Sequence, residues 1–220
     1  MGKQIVARAN QSRFDYKYLK EVFGFDQGVT TQKQMLERIF AEDEQGAEIR
    51  QKLFKALAVK NYEFNAQGVE LNQRYTSNAV ISEAEPERFE RDQQLYLQAT
   101  TRPGAKVPHT WLVNANGQKQ STLDITGKGR FTLLTGLSGK GWKQATESLN
   151  LPYLDVIQIG SRDYRDVYGT WNAKSEIHDS GAILVRPDGY VAWRYQDSTN
   201  DQFDFVNTLK AVLKQIQLTV

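Results

Sequence analysis

The stretch Asp179–Tyr195, DSGAILVRPDGYVAWRY, carries the clearest alternation of apolar and turn-forming positions in the chain. Ala182–Val185 is continuously apolar, Arg186-Pro187-Asp188-Gly189 supplies turn residues, and Tyr190–Tyr195 resumes with aromatic and β-branched side chains. This pattern predicts a β-hairpin. Its first arm offers water no polar face, so it is expected to be a central strand covered on both sides. Pro187 ends that arm, where a missing N–H does little harm, and Gly189 supplies the positive φ of a tight turn.

Before residue 100 the pattern is helical. Phe14, Tyr18 and Val22 recur at i, i+4 and i+8 within Ser12–Phe23, and Gly24 follows as a stop signal. Thr31 and Gln34 fit a capping box for a second helix, predicted to bury Met35, Leu36, Ile39 and Phe40 and to be broken by the acidic run before Gly46. A third helix carries Ile49, Leu53 and Leu57 on one stripe and ends near Asn61. Met1–Arg8 reads as mid-helix with no cap residue ahead of it, as expected of a fragment. Three helices without a sheet need something larger to pack against. If that partner is another, missing domain, the Phe14/Tyr18/Val22 or the Ile49/Leu53/Leu57 helix should expose an apolar face. Gly68–Ile81 reads as a short extended stretch, and Glu83–Arg91 as a charged, exposed segment with Pro86 in the first turn of a short helix.

Thr100–Pro108 holds two prolines and a glycine and reads as a linker. The domain boundary is placed there, giving a helical segment over 1–99 and a second domain over 100–220. In the second domain the rhythm alternates. Strands are expected at Thr110–Val113, Phe131–Leu137 and Leu154–Ile159, with a helix over Gly139–Leu149 turning Trp142, Ala145 and Leu149 inward. A long connection, Gly160–Ser180, leads to the hairpin, and a helix from about Asp201 to Gln217 closes the chain with Phe205, Leu209, Val212, Leu213 and Ile216 as its stripe. Asp201 and Asp204 sit favourably near that helix's N-terminus. The order β-α-β-loop-β-β-α predicts an α/β, thioredoxin-like sheet with helices on its faces.

Composition narrows the chemistry. The 220 residues are 40% hydrophobic, enough for one full domain and a smaller attachment. Lys and Arg number 28 against 26 Asp and Glu, with the signs mixed and a net charge of +2, so no basic stripe recommends nucleic acid as a partner. The absence of cysteine excludes disulfides, thiol nucleophiles, CxxC redox chemistry and thiolate zinc sites. No run approaches the roughly 18 apolar residues of a membrane span, and the N-terminus lacks the apolar core of a signal peptide, so a soluble, cytoplasmic protein is expected.

Few residues invite catalysis. His109 and His178 are the only histidines, and no acidic or cysteine cluster accompanies them at ligand spacing, so no metal site is expected. His109 follows Pro108 at the entrance to a strand, where it is expected to fasten linker to domain. His178-Asp179 is a formal acid/base pair with no nucleophile motif nearby, and Asp179 is better suited to capping the turn before the central strand. Gly136, Gly139 and Gly141 with Lys140 have some likeness to a phosphate-cradling loop, but lack the Lys-Ser/Thr pair of a P-loop. Trp111, Trp142, Trp171 and Trp193 are expected as core or interface anchors.

Three segments, TTRPGAKVPHTWL (Thr100–Leu112), LDITGKGRFTLLTG (Leu123–Gly136) and GAILVRPDGYVAWR (Gly181–Arg194), in this order resemble the C-terminal third of FAD-dependent aromatic hydroxylases of the phenol hydroxylase and 2,4-dichlorophenol 6-monooxygenase type. GKQIVARANQS (Gly2–Ser12) is similar to the end of the long helix after that family's FAD-binding domain, and RYTSNAVI (Arg74–Ile81) to the segment before the linker. The resemblance implies a cysteine-free thioredoxin-like domain. Thr135–Trp142 stands where a working thioredoxin places its cysteine pair, and Gly181 where it carries a cis-proline, so disulfide exchange is excluded. It further implies that FAD, NAD(P)H and a phenolic substrate act in a preceding portion, with ortho-hydroxylation of phenols to catechols, and that the intact enzyme is a homodimer. The family's GxGxxG turn and its further Asp-Gly and Gly-Asp signatures have no counterpart before residue 100. No catalytic, cofactor-binding or metal-binding residue is therefore assigned, and this piece is expected to be structural. The alternative is a free-standing, redox-inactive thioredoxin-like binding module.

Overall fold

A computed structural model describes residues 2–197 and 202–218. The chain divides into two compact units, one formed by the described part of Met1–Asn72 with Phe89–Gln98, the other by Gln73–Arg88 with the described part of Ala99–Val220.

The first unit is helical. Helix α1 (Gly2–Phe23), α2 (Val29–Ile39), α3 (Glu44–Phe64) and the short α4 (Gln67–Leu71) follow one another, with α1 packed along α3. Its interior is thin. Helix α1 buries Ser12, Asp15 and Val22 and α3 buries Gly46, Ile49 and Ala56, so Val22 and Ile49 are the only large apolar side chains the two helices bury among the described residues. The predicted capping box at Thr31 does not form, because α2 starts earlier, at Val29, behind a Gly28 that makes no side-chain cap bond. Nor does α2 bury its stripe: none of its residues is buried, and Leu36 and Phe40 are exposed. The acidic run before Gly46 opens α3, with Asp43 as N-cap accepting the Gly46 N–H at 2.7 Å. Gly46 lies inside the helix, and a Cβ there would stand 2.2 Å from the Ala41 carbonyl oxygen, so the position requires glycine. The N-terminal part of the expected extended stretch 68–81 is helical in α4, and 83–91 forms no helix around Pro86.

The second unit holds two sheets. Strands β1 (Trp111–Asn114) and β2 (Lys119–Ser121) form a hairpin, followed by a helical turn, α5 (Thr122–Ile125). Then come β3 (Phe131–Thr135), α6 (Lys140–Leu149), β4 (Leu154–Gln158), β5 (Tyr164–Arg165), α7 (Thr170–Lys174), β6 (Ala182–Val185), β7 (Val191–Tyr195) and α8 (Phe205–Gln215). The main sheet runs β4-β3-β6-β7, with β3 parallel to β4 and the other pairs antiparallel, and β1 joins β2 and β5 in a separate small sheet. The hairpin is as predicted. All four residues of β6 are fully buried at the centre of the main sheet, and Gly189 turns with φ 83°.

Alternation sorts the core into two layers. Leu133, Ala182 and Leu184 point to the face covered by Trp142 and Ala145 of α6 and Leu209 and Leu213 of α8. Leu134, Ile183 and Val185 point to the other, against Leu112, Ile157 and Trp171. Helix α8 begins at Phe205 with Asp204 as N-cap, while Asp201 lies outside the described residues. The proline-rich stretch at 100–108 is not a free linker. Thr101, Ala105 and Val107 are buried, and Gly104 N–H donates to Val191 O, Val191 N–H to Ala105 O and Val107 N–H to Gly189 O at 2.8–3.0 Å, which lays the segment along β7.

Candidate functional site

Both parallel strands, β3 and β4, end on the same edge of the main sheet, and the turn after β3 leads into α6. Crevices outside the carboxyl ends of parallel strands are the usual ligand positions in α/β sheets. Here that turn is tied to the loop 178–181. Thr135 Oγ1 donates to Gly181 O at 2.6 Å, and Trp142 Nε1 donates to Ser180 O at 2.9 Å. The Asp179 carboxylate accepts from Leu137 N–H at 2.9 Å and from both the N–H and the hydroxyl of Ser138, at 2.8 and 2.6 Å. Partial burial works against the charge of Asp179. The Ser138 hydroxyl and the N–H groups of Ser138 and Leu137 outweigh it and hold the carboxyl below the usual carboxylate range.

These contacts decide the glycine-rich loop. A Cβ at Gly136 would meet Asp179, one at Gly139 would stand 1.8 Å from Thr135 Oγ1, and one at Gly141 would stand 2.5 Å from the Phe205 ring. The glycines serve internal packing, and the N–H groups that would cradle a phosphate hold the chain's own carboxylate. The described residues before 100 contain no strand, hence no strand–turn–helix element of the dinucleotide-binding kind.

Asp179 thus caps the turn after β3, across the sheet edge, rather than the turn before β6 that its sequence position suggests. His178 is exposed and takes part through its backbone, so the formal acid/base pair is not assembled. His109 lies within 2.7 Å of Ser121 Oγ, at the start of α5, and its ring meets Trp111 edge-on. Among the described residues no group of three His, Asp or Glu is placed to hold a metal ion. Trp142, Trp171 and Trp193 are buried and Trp111 is half exposed.

Beside the Asp179 turn lies a cavity of about 210 Å³, floored by Ile159, Trp171 and Ile177 and rimmed by Leu137, Asp166 and Asp179. Sequence reasoning passed over Asp166, which sits in a connection without periodicity. It passed over a second feature as well, a cluster around Arg194. Arg194 Nε and Nη2 donate to the two oxygens of Glu83, at 2.5 and 3.1 Å, and Nη1 to Thr101 Oγ1 at 3.1 Å and to Glu176. Burial disfavours the charged guanidinium, but Glu83 and Glu176 together raise its pKa above the ordinary arginine value. Of its three partners, Thr101 lies 93 and Glu83 111 residues away, and such pairs cannot be read from sequence spacing.

The fold around this turn has known counterparts. A family model described as the C-terminal part of aromatic-ring hydroxylases matches residues 100–216. The chain belongs to this aromatic-ring hydroxylase C-terminal family. Its relatives include the 2,4-dichlorophenol 6-monooxygenase of Cupriavidus pinatubonensis, 39% identical over 222 residues that cover 97% of this chain and 37% of the relative. The phenol 2-monooxygenase of Pseudomonas sp. strain EST1001 is 38% identical over 91% of this chain and 34% of its own length. Among solved structures, the flavin-dependent monooxygenase PieE, in complex with FAD and substrate, superposes with a TM-score of 0.77 at 41% identity, covering 97% of this chain and 38% of PieE. This hydroxylase C-terminal chain therefore spans little more than a third of the length of these relatives. No described helix is long and apolar enough to cross a membrane.

Proposed function

We propose that this hydroxylase C-terminal chain is the closing part of a flavin-dependent monooxygenase that ortho-hydroxylates phenols, including chlorophenols, to catechols. FAD, NAD(P)H and the phenolic substrate act in the preceding part of a cytoplasmic enzyme. The observation that carries this reading is the match of nearly the whole chain to the last third of phenol and chlorophenol monooxygenases. The chain's own role is structural: it supports the flavin and substrate domains and contributes to a homodimer, with no catalytic residue of its own. The sheet order β4-β3-β6-β7 with α6 and α8 on one face supports a cysteine-free thioredoxin-like domain as the second part, preceded by a helical segment. The helical unit supports a missing neighbour in part: Phe14, Tyr18 and Leu57 of the two expected stripes are exposed, whereas Val22 and Ile49 are buried within the unit itself.

Two measurements test this. Reading the coding sequence upstream of Lys3 is expected to show several hundred in-frame codons with a GxGxxG turn near their start; an in-frame stop codon just ahead of Met1 overturns the assignment. Titrating the isolated chain with FAD is expected to give no saturable change in flavin fluorescence, and micromolar binding overturns the division of labour.

A further inference from the structure

Two dipeptides in the chain place a side-chain carbonyl carbon beside an unhindered glycine nitrogen, Asn116-Gly117 and Asp188-Gly189, and each is the only one of its kind in the sequence. Glycine has no Cβ to block attack by its own nitrogen on the preceding side chain. Both sit in hairpin turns, with Gly117 at φ 77° and Gly189 at φ 83°. The tertiary structure separates them. Asp188 is paired with Arg186 as an anion, a poor electrophile: its carboxylate accepts from Arg186 Nη2 at 2.6 Å and from Tyr190 N–H at 3.3 Å. Gly189 is tied as well, its N–H donating to Arg186 O at 2.9 Å and its carbonyl accepting from Val107 N–H at 3.0 Å. Asn116 carries a neutral carboxamide that makes no hydrogen bond among the described residues, and residues 115–119 around it are all exposed. What holds this loop converges on Asn114. Asn114 Oδ1 accepts from Asn116 N–H and Gln118 N–H, each at 3.0 Å, and Asn114 O accepts from Gly117 N–H, also at 3.0 Å.

We infer that Asn116 is a site of spontaneous deamidation in the folded chain and that the Asn114 side chain restrains it. Gly117 N, giving its proton to solvent, attacks Asn116 Cγ. The new N–Cγ bond closes a five-membered succinimide, the Cγ–Nδ2 bond breaks, and the amide leaves as ammonia. Water then opens the ring, at Cγ to give aspartate or at the backbone carbonyl to give isoaspartate. No group is oxidised or reduced. The attack requires Gly117 N–H to leave Asn114 O and the backbone to turn about Asn116, a geometry that the two bonds to Asn114 Oδ1 oppose. Isoaspartate adds a methylene to the backbone between β1 and β2, so the turn no longer closes the Val113↔Lys119 register. The inference rests on this loop's own geometry and stands whether or not a flavin part precedes it.

The test incubates the chain in warm, mildly alkaline buffer, with and without denaturing guanidinium chloride, and follows each asparagine peptide by mass spectrometry. Isoaspartate is detected separately, by methyl transfer from S-adenosylmethionine with an isoaspartyl methyltransferase. Asn116 is expected to convert before any other asparagine, lowering the net charge of +2 by one unit. Gly117→Ala is expected to slow conversion at least about tenfold in both solvents, since a Cβ crowds the attacking nitrogen whether or not the turn is formed. Asn114→Ala is expected to speed it at least about threefold in the folded chain and to leave the rate in guanidinium unchanged. If Asn114→Ala does not fold, the wild-type rates decide: a folded rate between about threefold and a hundredfold below the denatured one upholds the restraint. Prior conversion of another asparagine, a folded rate more than about a hundredfold below the denatured one, or equal folded rates for wild type and a folded Asn114→Ala each overturns the inference.

Discussion

Asp179 Oδ2 accepts two hydrogen bonds from Ser138, one from its N–H at 2.8 Å and one from its hydroxyl at 2.6 Å, and so fastens the loop before the central strand to the turn that opens α6. Here the N–H groups at its head are spent on a carboxylate from the same chain.

Removing that carboxylate has a directional effect. Asp179→Asn is expected to cost about 1 kcal/mol, since the bonds are charge-assisted but the residue is partly exposed and screened. The folded carboxyl titrates below its unfolded value of about 4. Its contribution is therefore complete above pH ~4 and disappears as the pH falls through the folded value. Urea midpoints measured from pH 7 down to pH 2 should converge for wild type and Asp179→Asn at the acid end.

Gly139 separates packing from ligand binding as the reason for the glycine-rich loop. Gly139→Ala places a Cβ 1.8 Å from Thr135 Oγ1 and 2.7 Å from Thr135 Cβ, and Thr135 is held in the main sheet by its bond to Gly181. The expected loss is about 1–3 kcal/mol in denaturant unfolding, from overpacking.

Arg194 is 8% exposed on its side chain and gathers Glu83, Thr101 and Glu176 from three separate segments. Arg194→Met leaves two carboxylates facing a partly buried site. Such half-removed pairs cost about 3–5 kcal/mol, and the low end is expected because Glu176 reaches solvent and Glu83 keeps Arg102 at 3.1 Å. Thermal unfolding of the isolated chain checks this, and adding Glu83→Gln should recover part of the loss.

A surface pair gives the contrast. Arg130 and Asp155 meet at 2.7 Å with about half of each side chain exposed, at 48% and 49%. Asp155→Asn is expected to change stability by less than about 1 kcal/mol, and the difference from wild type should shrink further in 1 M salt.

The hairpin was legible in the sequence because its signal is local. Ala182–Val185 has no polar face, so any fold that buries it must cover both sides, and Pro187-Asp188-Gly189 stops the strand without reference to the rest of the chain. The helix over Lys140–Leu149 was readable for the same reason, since the 3.6-residue period places Trp142 and Ala145 on one face. The same local logic failed for α2. Its stripe Met35, Leu36, Ile39 and Phe40 is amphipathic, but nothing in the described unit covers Leu36 and Phe40. Periodicity tells which side chains share a face and is silent on what the face meets.

What the sequence by itself determined is therefore the set of elements that local sterics and burial dictate, together with the exclusions that composition imposes: a chain without cysteine has no thiol chemistry in any fold. Only the tertiary structure decided the partners of isolated polar groups. Asp179 finds Ser138 41 residues away and Arg194 finds Glu83 at a separation of 111. Hydrogen bonds and ion pairs act over a few ångströms between groups that the chain's fold, not its order, brings together, so pattern along the sequence carries no trace of them.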